Sequence, residues 1–110
     1  MPQLTWNRYG KSRIRLGTAG TIRRIEVDTR HFKGNAPGAC SLEAVRHAQD
    51  TALENAEWRA LLTKTPLQPH ARHVFENDVQ PIADVTHVRF NIFPDGGVGR
   101  LRLHGCPARM

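Results

Sequence analysis

Apolar and polar residues alternate most clearly near the end of the chain, in VTHVRFNIF (85–93) and again in VGRLRLHG (98–105), with the breaker run Pro94-Asp95-Gly96-Gly97 between them. Strict alternation marks a half-buried strand, and two such runs around a short Gly-containing loop predict a β-hairpin. A four-residue loop sets Phe93 opposite Val98, Phe90 opposite Leu101 and Val88 opposite Leu103 on one face. On the other face the same register sets Asn91 opposite Arg100, Arg89 opposite Arg102 and His87 opposite His104. The same period appears in KSRIRLG (11–17) and TIRRIEVD (21–28), separated by GTAG (17–20). In the second of these Ile25 and Val27 face a core, and Arg24, Glu26 and Asp28 lie on the opposite side. TRHFKGNAPG (29–38) is rich in breakers and reads as a loop. The middle is different: SLEAVRHAQDTALENAEWRALL (41–62) spaces its apolar residues as a helix does, and Ser41 can cap the start. Read locally, it predicts one helix. TKTPLQPHARHVF (63–75) reads as extended, because each proline disfavours helix in the residue before it, and ENDVQPIAD (76–84) reads as a loop.

Strands at both ends point to a mainly antiparallel sheet, and a sheet with one apolar face must cover it with a second layer. A sandwich is the expected solution, with a sheet covered by helices as the alternative. Trp6, Trp58 and Phe75 are expected in the core, and the chain shows no internal repeat.

At 110 residues, 39% of them hydrophobic, the chain fits one domain with one core. Sixteen Lys and Arg against ten Asp and Glu give a net charge of +6, which favours anionic partners. The first 25 residues carry six cations and no acid, but the cations are interleaved with Ile14, Leu16 and Ile22, as on the solvent side of strands. With few aromatics and dispersed cations, nucleic acid is not the expected partner. Cys40 and Cys106 match no metal-binding spacing; a disulfide between them is open, and free thiols in a reducing cytosol are the preferred reading. No apolar run approaches the roughly 18 residues of a membrane span, and MPQLTWNRYGKSR lacks the apolar core of a signal peptide. The expectation is a soluble, cytoplasmic protein.

Three stretches carry candidate chemistry. Two arginines directly opposed in a hairpin cost about 0.2–1 kcal/mol unless something anionic lies between them. Glu26 and Asp28 on a neighbouring strand can neutralise them, or both can point into water. The sharper alternative is an anionic ligand, for which a guanidinium offers two parallel hydrogen bonds to a carboxylate. DTRHFKGN (28–35) puts Asp28, His31, Lys33 and Asn35 where a strand runs into a loop, a common place for catalytic groups. Asp28 and His31 suit proton transfer; the plainer reading is an Asx turn with a solvated histidine. HARH (70–73) holds His70 and His73 three apart, a spacing for a metal on a helix but divergent on a strand. The flanking prolines favour the extended form, so no metal or other cofactor is assigned. There is no nucleophilic triad, and FPDGGVGR lacks the Gly-Lys-Ser/Thr tail of a phosphate loop.

IEVDTRHFKGN, LQPHARHVF and VTHVRFNIFPDGGVGRLRLHG together resemble the signature segments of the allantoicase family, in that family's order and spacing. CSLEA (40–44) and WRALL (58–62) look like allantoicase too. The likeness covers residues 13–105, with a non-matching segment at 1–12 and a tail at 106–110. It implies an antiparallel jelly-roll β-sandwich of the galactose-binding or discoidin kind, which turns the 41–62 region into strand, loop and strand, with room for a short helix within 48–57. The family hydrolyses allantoate to ureidoglycolate and urea in purine degradation, carries two repeats in tandem and forms oligomers. One repeat, incomplete at its front, resembles the later part of a C-terminal repeat. It is expected to pair with another repeat or another copy and to be an allantoicase-like hydrolase, either active or a truncated, inactive fragment; the alternative is a non-catalytic module binding a small anion or a partner chain. On chemical grounds Asp28, His31, His70 and His73 are candidates for proton transfer. Lys33, Asn35, Arg72, Arg89, Asn91 and Arg100 are candidates for holding substrate, with Arg102 a further choice for its carboxylate. Ligands in such modules favour loop ends, which ranks DTRHFKGN and LQPHARH above the last hairpin.

Overall fold

The computed structural model describes residues 11–49, 52–94 and 96–108. Trp6, most of the N-terminal segment expected to differ from the family, and Asp95 of the predicted turn lie outside the described residues. Six strands make up the fold: β1 (Lys11–Asp28), β2 (Ala39–Val45), β3 (Arg59–Pro66), β4 (Arg72–Phe75), β5 (Val85–Phe93) and β6 (Arg100–Pro107). Every pairing is antiparallel; neighbours run β3-β2-β5-β1-β4, and β6 also pairs with β1.

The sheet curls into two layers because β1, at 18 residues, serves both. Its first half pairs with β5, Arg13 opposite Arg89 and Arg15 opposite His87. Its second half lies between β4 and β6, so that Ile25 faces both Phe75 and Leu103. Gly20 sits opposite both Val85 and Pro107, where the strand passes from one layer to the other. There β1 and β6 come close enough that a β-carbon on Gly20 would strike the carbonyl oxygen of Cys106, and one on Gly105 that of Thr21. Only glycine permits this approach. A second irregularity between Ile22 and Arg24 shifts the side-chain phase by one residue. Ile14, Leu16 and Ile22 therefore point inward at even positions before it, and Ile25 and Val27 at odd positions after it, all buried. They meet Leu42, Leu61, Leu62, Val88, Phe90, Leu101 and Leu103 in one core.

The predicted hairpin does not form. β5 and β6 follow one another in the chain but do not pair; each is bonded to β1, and residues 94–99 cross between the layers. Alternation correctly marks each strand as two-faced, but it carries no information on which strand becomes the partner. The pairs read across the hairpin dissolve accordingly. Arg89 stands between Arg13 and Glu43, Arg102 opposite Glu26, Arg100 opposite Asp28, and Asn91 opposite Ser41.

The locally predicted helix is also overturned, in favour of the strand–loop–strand reading. Cys40, Leu42 and Ala44 are buried with half-buried residues between them, a period of two that the helical spacing of Leu42, Val45 and Ala48 obscures. β2 lies between β3 and β5, and the sheet bonds on both sides decide the outcome over local propensity. A single 3-10 turn at Leu53–Asn55 remains, entered through Ala52 at φ 58°. Of the expected core aromatics, Phe75 packs on the core from its edge. Trp58 is half-buried, its indole N–H donating to the Leu53 carbonyl at 2.7 Å. Both cysteines are free thiols, Cys40 buried and Cys106 exposed, and burial pushes the Cys40 thiol up to about 12.

Ile25 has no exposed surface and lies where both layers meet. Ile25→Val is expected to lower unfolding free energy by about 0.5–1.5 kcal/mol and Ile25→Ala by about 2–5 kcal/mol. Arg23→Ala, on the exposed side of the same strand, should stay within about 0.5 kcal/mol. Urea unfolding midpoints at unchanged slope measure the differences.

Candidate functional site

Antiparallel connectivity brings three loops to one end of the sandwich: β1–β2 (29–38), β3–β4 (67–71) and β5–β6 (94–99). They are the DTRHFKGN, LQPHARH and PDGGVGR stretches. Backbone bonds tie them together. Gly99 N–H donates to the Asp28 carbonyl at 2.8 Å, Gly97 N–H to Asn35 at 2.7 Å, His70 N–H to Phe32 at 3.2 Å and Leu67 N–H to Gly38 at 2.9 Å. The Phe32 ring lies against Gly97 so closely that a β-carbon there would collide with it, which fixes the β5–β6 loop against the β1–β2 loop.

Asp28 ends β1 and forms the Asx turn of the plainer reading: its Oδ1 accepts the Arg30 backbone N–H at 2.9 Å. Its two oxygens also accept from the Arg30 guanidinium, Nε at 3.1 and 3.0 Å and Nη2 at 2.7 Å. The guanidinium hydrogen bonds hold the Asp28 carboxyl below its ordinary range, with Arg100 adding attraction and partial burial opposing both. Arg30 was not among the sequence candidates. The one available signal was its place two residues after an aspartate at a strand end.

Asp28, Arg30, His31, Gly99 and Arg100 line an open hollow of about 320 Å³. His70, on the β3–β4 loop, does not line the hollow but packs against His31, which does. The His31 N–H donates to His70 Nδ1 at 2.8 Å, and the two rings meet edge to face with centroids 5.7 Å apart. Both histidines have left-handed backbone, φ 74° for His31 and φ 51° for His70, a conformation costly for residues with a β-carbon and concentrated at functional sites. His73 is different. Its Nε2 accepts the Gln68 N–H at 2.9 Å, so its Nδ1 must donate to the Val27 carbonyl, 3.0 Å away. With both ring nitrogens bonded to backbone, His73 braces the β3–β4 loop. Lys33 and Asn35 are exposed on the β1–β2 loop.

The remaining candidates lie elsewhere. Arg72 donates to Glu26 at 2.8 Å on the outer face of β4, β1 and β6. Glu26 is almost enclosed there, with Arg24 at 3.2 Å, His104 at 3.8 Å and Arg102 at 3.9 Å around it. The Arg72 hydrogen bond, more than any other influence, keeps the Glu26 carboxyl below its ordinary range against the opposing effect of burial. Arg89 and Asn91 sit on the outer face of the other layer. Arg89 makes two 2.9 Å bonds to Glu43 and stacks on Trp58 at 4.4 Å, and Asn91 donates to Ser41 and Glu43 at 3.1 Å. The polar face noticed in the sequence is thus shared out among three acids, Glu26, Glu43 and, beside Arg100, Asp28. Among the described residues no group of three or more His, Cys, Asp or Glu side chains is arranged for a metal ion. No helix there is long and apolar enough to cross a membrane.

A two-layer antiparallel module with a polar, arginine- and histidine-lined hollow at one loop end is the class of protein that this architecture defines. The F5/8 type C domain of a Bacteroides fragilis protein matches it with a TM-score of 0.64 over 96% of this chain and 73% of that one; at 15% identity the likeness is one of fold alone. The crystal structure of allantoicase from Saccharomyces cerevisiae matches with a TM-score of 0.71 at 35% identity, covering 87% of this chain and 27% of that one. A family model for the allantoicase repeat matches residues 7–108, and the chain belongs to that family, with its jelly-roll β-sandwich fold. It is 49% identical over 96 residues to a "Probable allantoicase" of Stutzerimonas stutzeri, covering 84% of this chain and 29% of that protein. It is 45% identical over 95 residues to the "Allantoicase" of Dictyostelium discoideum, covering 83% and 26%. The chain thus spans less than a third of the length of these relatives.

Glu26 and Asp28 both titrate lower in the folded chain than in the unfolded one. Their stabilisation is therefore complete above the unfolded carboxylate range and is lost as pH falls through their folded values. Thermal unfolding is expected to drop steadily from about pH 5 downward. Glu26→Gln should lower stability at neutral pH and flatten that acid slope; an unchanged slope would mean that the Glu26 cluster contributes nothing to it.

Proposed function

We propose that this chain is an allantoicase-type hydrolytic module, and that the hollow between its three loops holds allantoate. What supports this reading is the convergence of three family segments: His31 and Arg100 line one opening, and His70 packs against His31 from the β3–β4 loop. Arg100, whose register partner Asp28 is already engaged by Arg30, is suited to take the substrate carboxylate. Lys33 and Asn35 on the adjoining loop are suited to the ureido groups. His70 accepts at Nδ1, so its neutral ring carries the proton on Nε2. A neutral ring is too weak an acid to give up that proton, so His70 offers it as a hydrogen bond to the leaving ureido group. Water adds to the central carbon, its proton passes to the ureido nitrogen as the carbon–nitrogen bond breaks, and urea leaves. Ureidoglycolate remains, and the histidine is unchanged. Asp28 serves as an orienting anion for Arg30, His73 as a brace, and Arg72, Arg89 and Asn91 maintain the outer faces. No cofactor enters this scheme.

A non-catalytic module that binds a small anion is the second reading, favoured by the bidentate Asp28–Arg30 pair, which leaves the hollow without an available carboxylate base. Under either reading the chain is expected to work beside another allantoicase repeat or another copy of itself, given the share of its relatives that it spans. Its two free thiols suit a cytoplasmic setting.

Urea release from allantoate by the purified chain separates the readings. Under the hydrolytic reading His70→Ala is expected to lower kcat by about 100-fold or more. Arg100→Ala should chiefly raise KM, by about tenfold or more, the loss of a charge-assisted hydrogen bond. Calorimetric binding of allantoate without urea release would replace the first reading by the second, and neither binding nor release would sink both.

A further inference from the structure

Thr29 follows the last residue of β1 and is fully buried, yet it belongs to no hydrophobic cluster. Its backbone N–H donates to the Ala71 carbonyl at 2.8 Å. Its hydroxyl donates to the Gln68 carbonyl at 2.6 Å and accepts the Ala71 N–H at 3.1 Å. Gln68 and Ala71 are the first and last residues of the turn Gln68-Pro69-His70-Ala71. Proline at the second position and a positive φ at the third are the signature of a type II turn, whose third position favours glycine or asparagine. Here it is His70 at φ 51°. A hydroxyl from another loop therefore stands between the turn's carbonyl and its amide and holds its two ends at a fixed spacing. His73 braces the same turn through the Gln68 N–H, itself anchored on the Val27 carbonyl of β1.

The consequence falls on the ring at the turn's tip. Held this way, His70 folds back on the β1–β2 loop, and its Nδ1 receives the backbone N–H of His31, two residues beyond Thr29, at 2.8 Å. We propose that Thr29 is a positioning residue: its hydroxyl fixes the 68–71 turn so that His70 accepts from His31 at Nδ1 and holds its ring against His31 at the edge of the hollow. The effect on turnover rests on the hydrolytic reading above; the geometric part stands without it. The relation is also reciprocal in structure. Thr29 stems from the strand end that carries Asp28, so the anion that orients Arg30 and the hydroxyl that orients His70 are adjacent residues with opposite reach.

Thr29→Val keeps the size and branching of the side chain and removes the hydroxyl, whereas Thr29→Ser keeps the hydroxyl. Long-range proton–nitrogen correlation spectra of the histidine rings report which nitrogen of His70 carries the proton, and amide exchange reports the His31 N–H. In the unaltered chain His70 is expected as a single neutral tautomer with the proton on Nε2 and with the His31 amide protected. Thr29→Val should give a mixture of tautomers and an unprotected His31 amide, and should lower kcat about 100-fold with little change in KM, as expected for a misplaced catalytic group. Thr29→Ser should restore all three. A folded Thr29→Val chain with the unaltered His70 and His31 signals overturns the proposal. If the Val variant does not fold, Thr29→Ser decides: loss of the signals in that folded variant overturns the proposal, and their retention supports it. Should the ring and amide signals respond as expected while no variant releases urea, the positioning role stands and the hydrolytic reading falls.

Discussion

β1 must supply backbone partners to β5 along its first half and to β4 and β6 along its second, and this divided duty sets the geometry of everything else. It requires the passage at Gly20, where the carbonyl of Cys106 leaves no space for a side chain. It also requires the phase shift after Ile22, without which Ile25 and Val27 would point into water and the arginines into the core. Once those are met, the strand delivers Asp28 and Thr29 at the same end of the sandwich as the β3–β4 and β5–β6 loops. The hollow is thus a by-product of one strand crossing between layers.

Charge in this molecule is organised locally rather than as one field. The net +6 suggests a broadly cationic surface, yet the arginines of the outer faces are grouped around individual acids. Glu26 gathers Arg24, Arg72, Arg102 and His104, while Glu43 holds Arg89 and Asp28 holds Arg30. Glu26, with only 7% of its side chain exposed, is the most consequential of these, because a nearly enclosed carboxylate stripped of its guanidinium partner is far costlier than an exposed ion pair gained. Arg100, beside an aspartate already taken up by Arg30, lines the hollow together with that pair.

Much of the fold was legible in the sequence, and the failures have physical causes. Alternation located β5, β6 and both halves of β1, since side-chain period depends only on which face is buried. It misassigned the partner of β5, because a break such as Pro94–Gly97 can close a hairpin or cross between layers, and only the rest of the sheet decides. Residues 41–62 misled a local reading because Leu42, Val45 and Ala48 fit a helix as well as Leu42 and Ala44 fit a strand. The family resemblance corrected that region where periodicity could not. Of the residues that line the hollow, Asp28 and His31 were legible where a strand runs into a breaker-rich loop, and Arg100 as a cation on the polar face of the last strand. Arg30 and Thr29 were not, since their roles depend on which carboxylate and which turn lie beside them in space, thirty-nine and more residues away along the chain for the bonds of Thr29.

The strand that holds both layers together is also the first described strand in the chain, and two of its partners are the last two. As the chain emerges from a ribosome at about 5–20 residues per second, β1 stays unpaired until β4 and β5 appear, and its second edge waits for β6. Its alternating apolar face and backbone edges therefore wait for described partners that all lie later in the chain. A topology whose pairings span nearly the whole sequence is slow to close and exposed to wrong partners in the meantime. The arginines at positions 13, 15, 23 and 24 give that waiting strand a positive charge before the fold exists, and charge of this kind opposes edge-to-edge pairing of like strands.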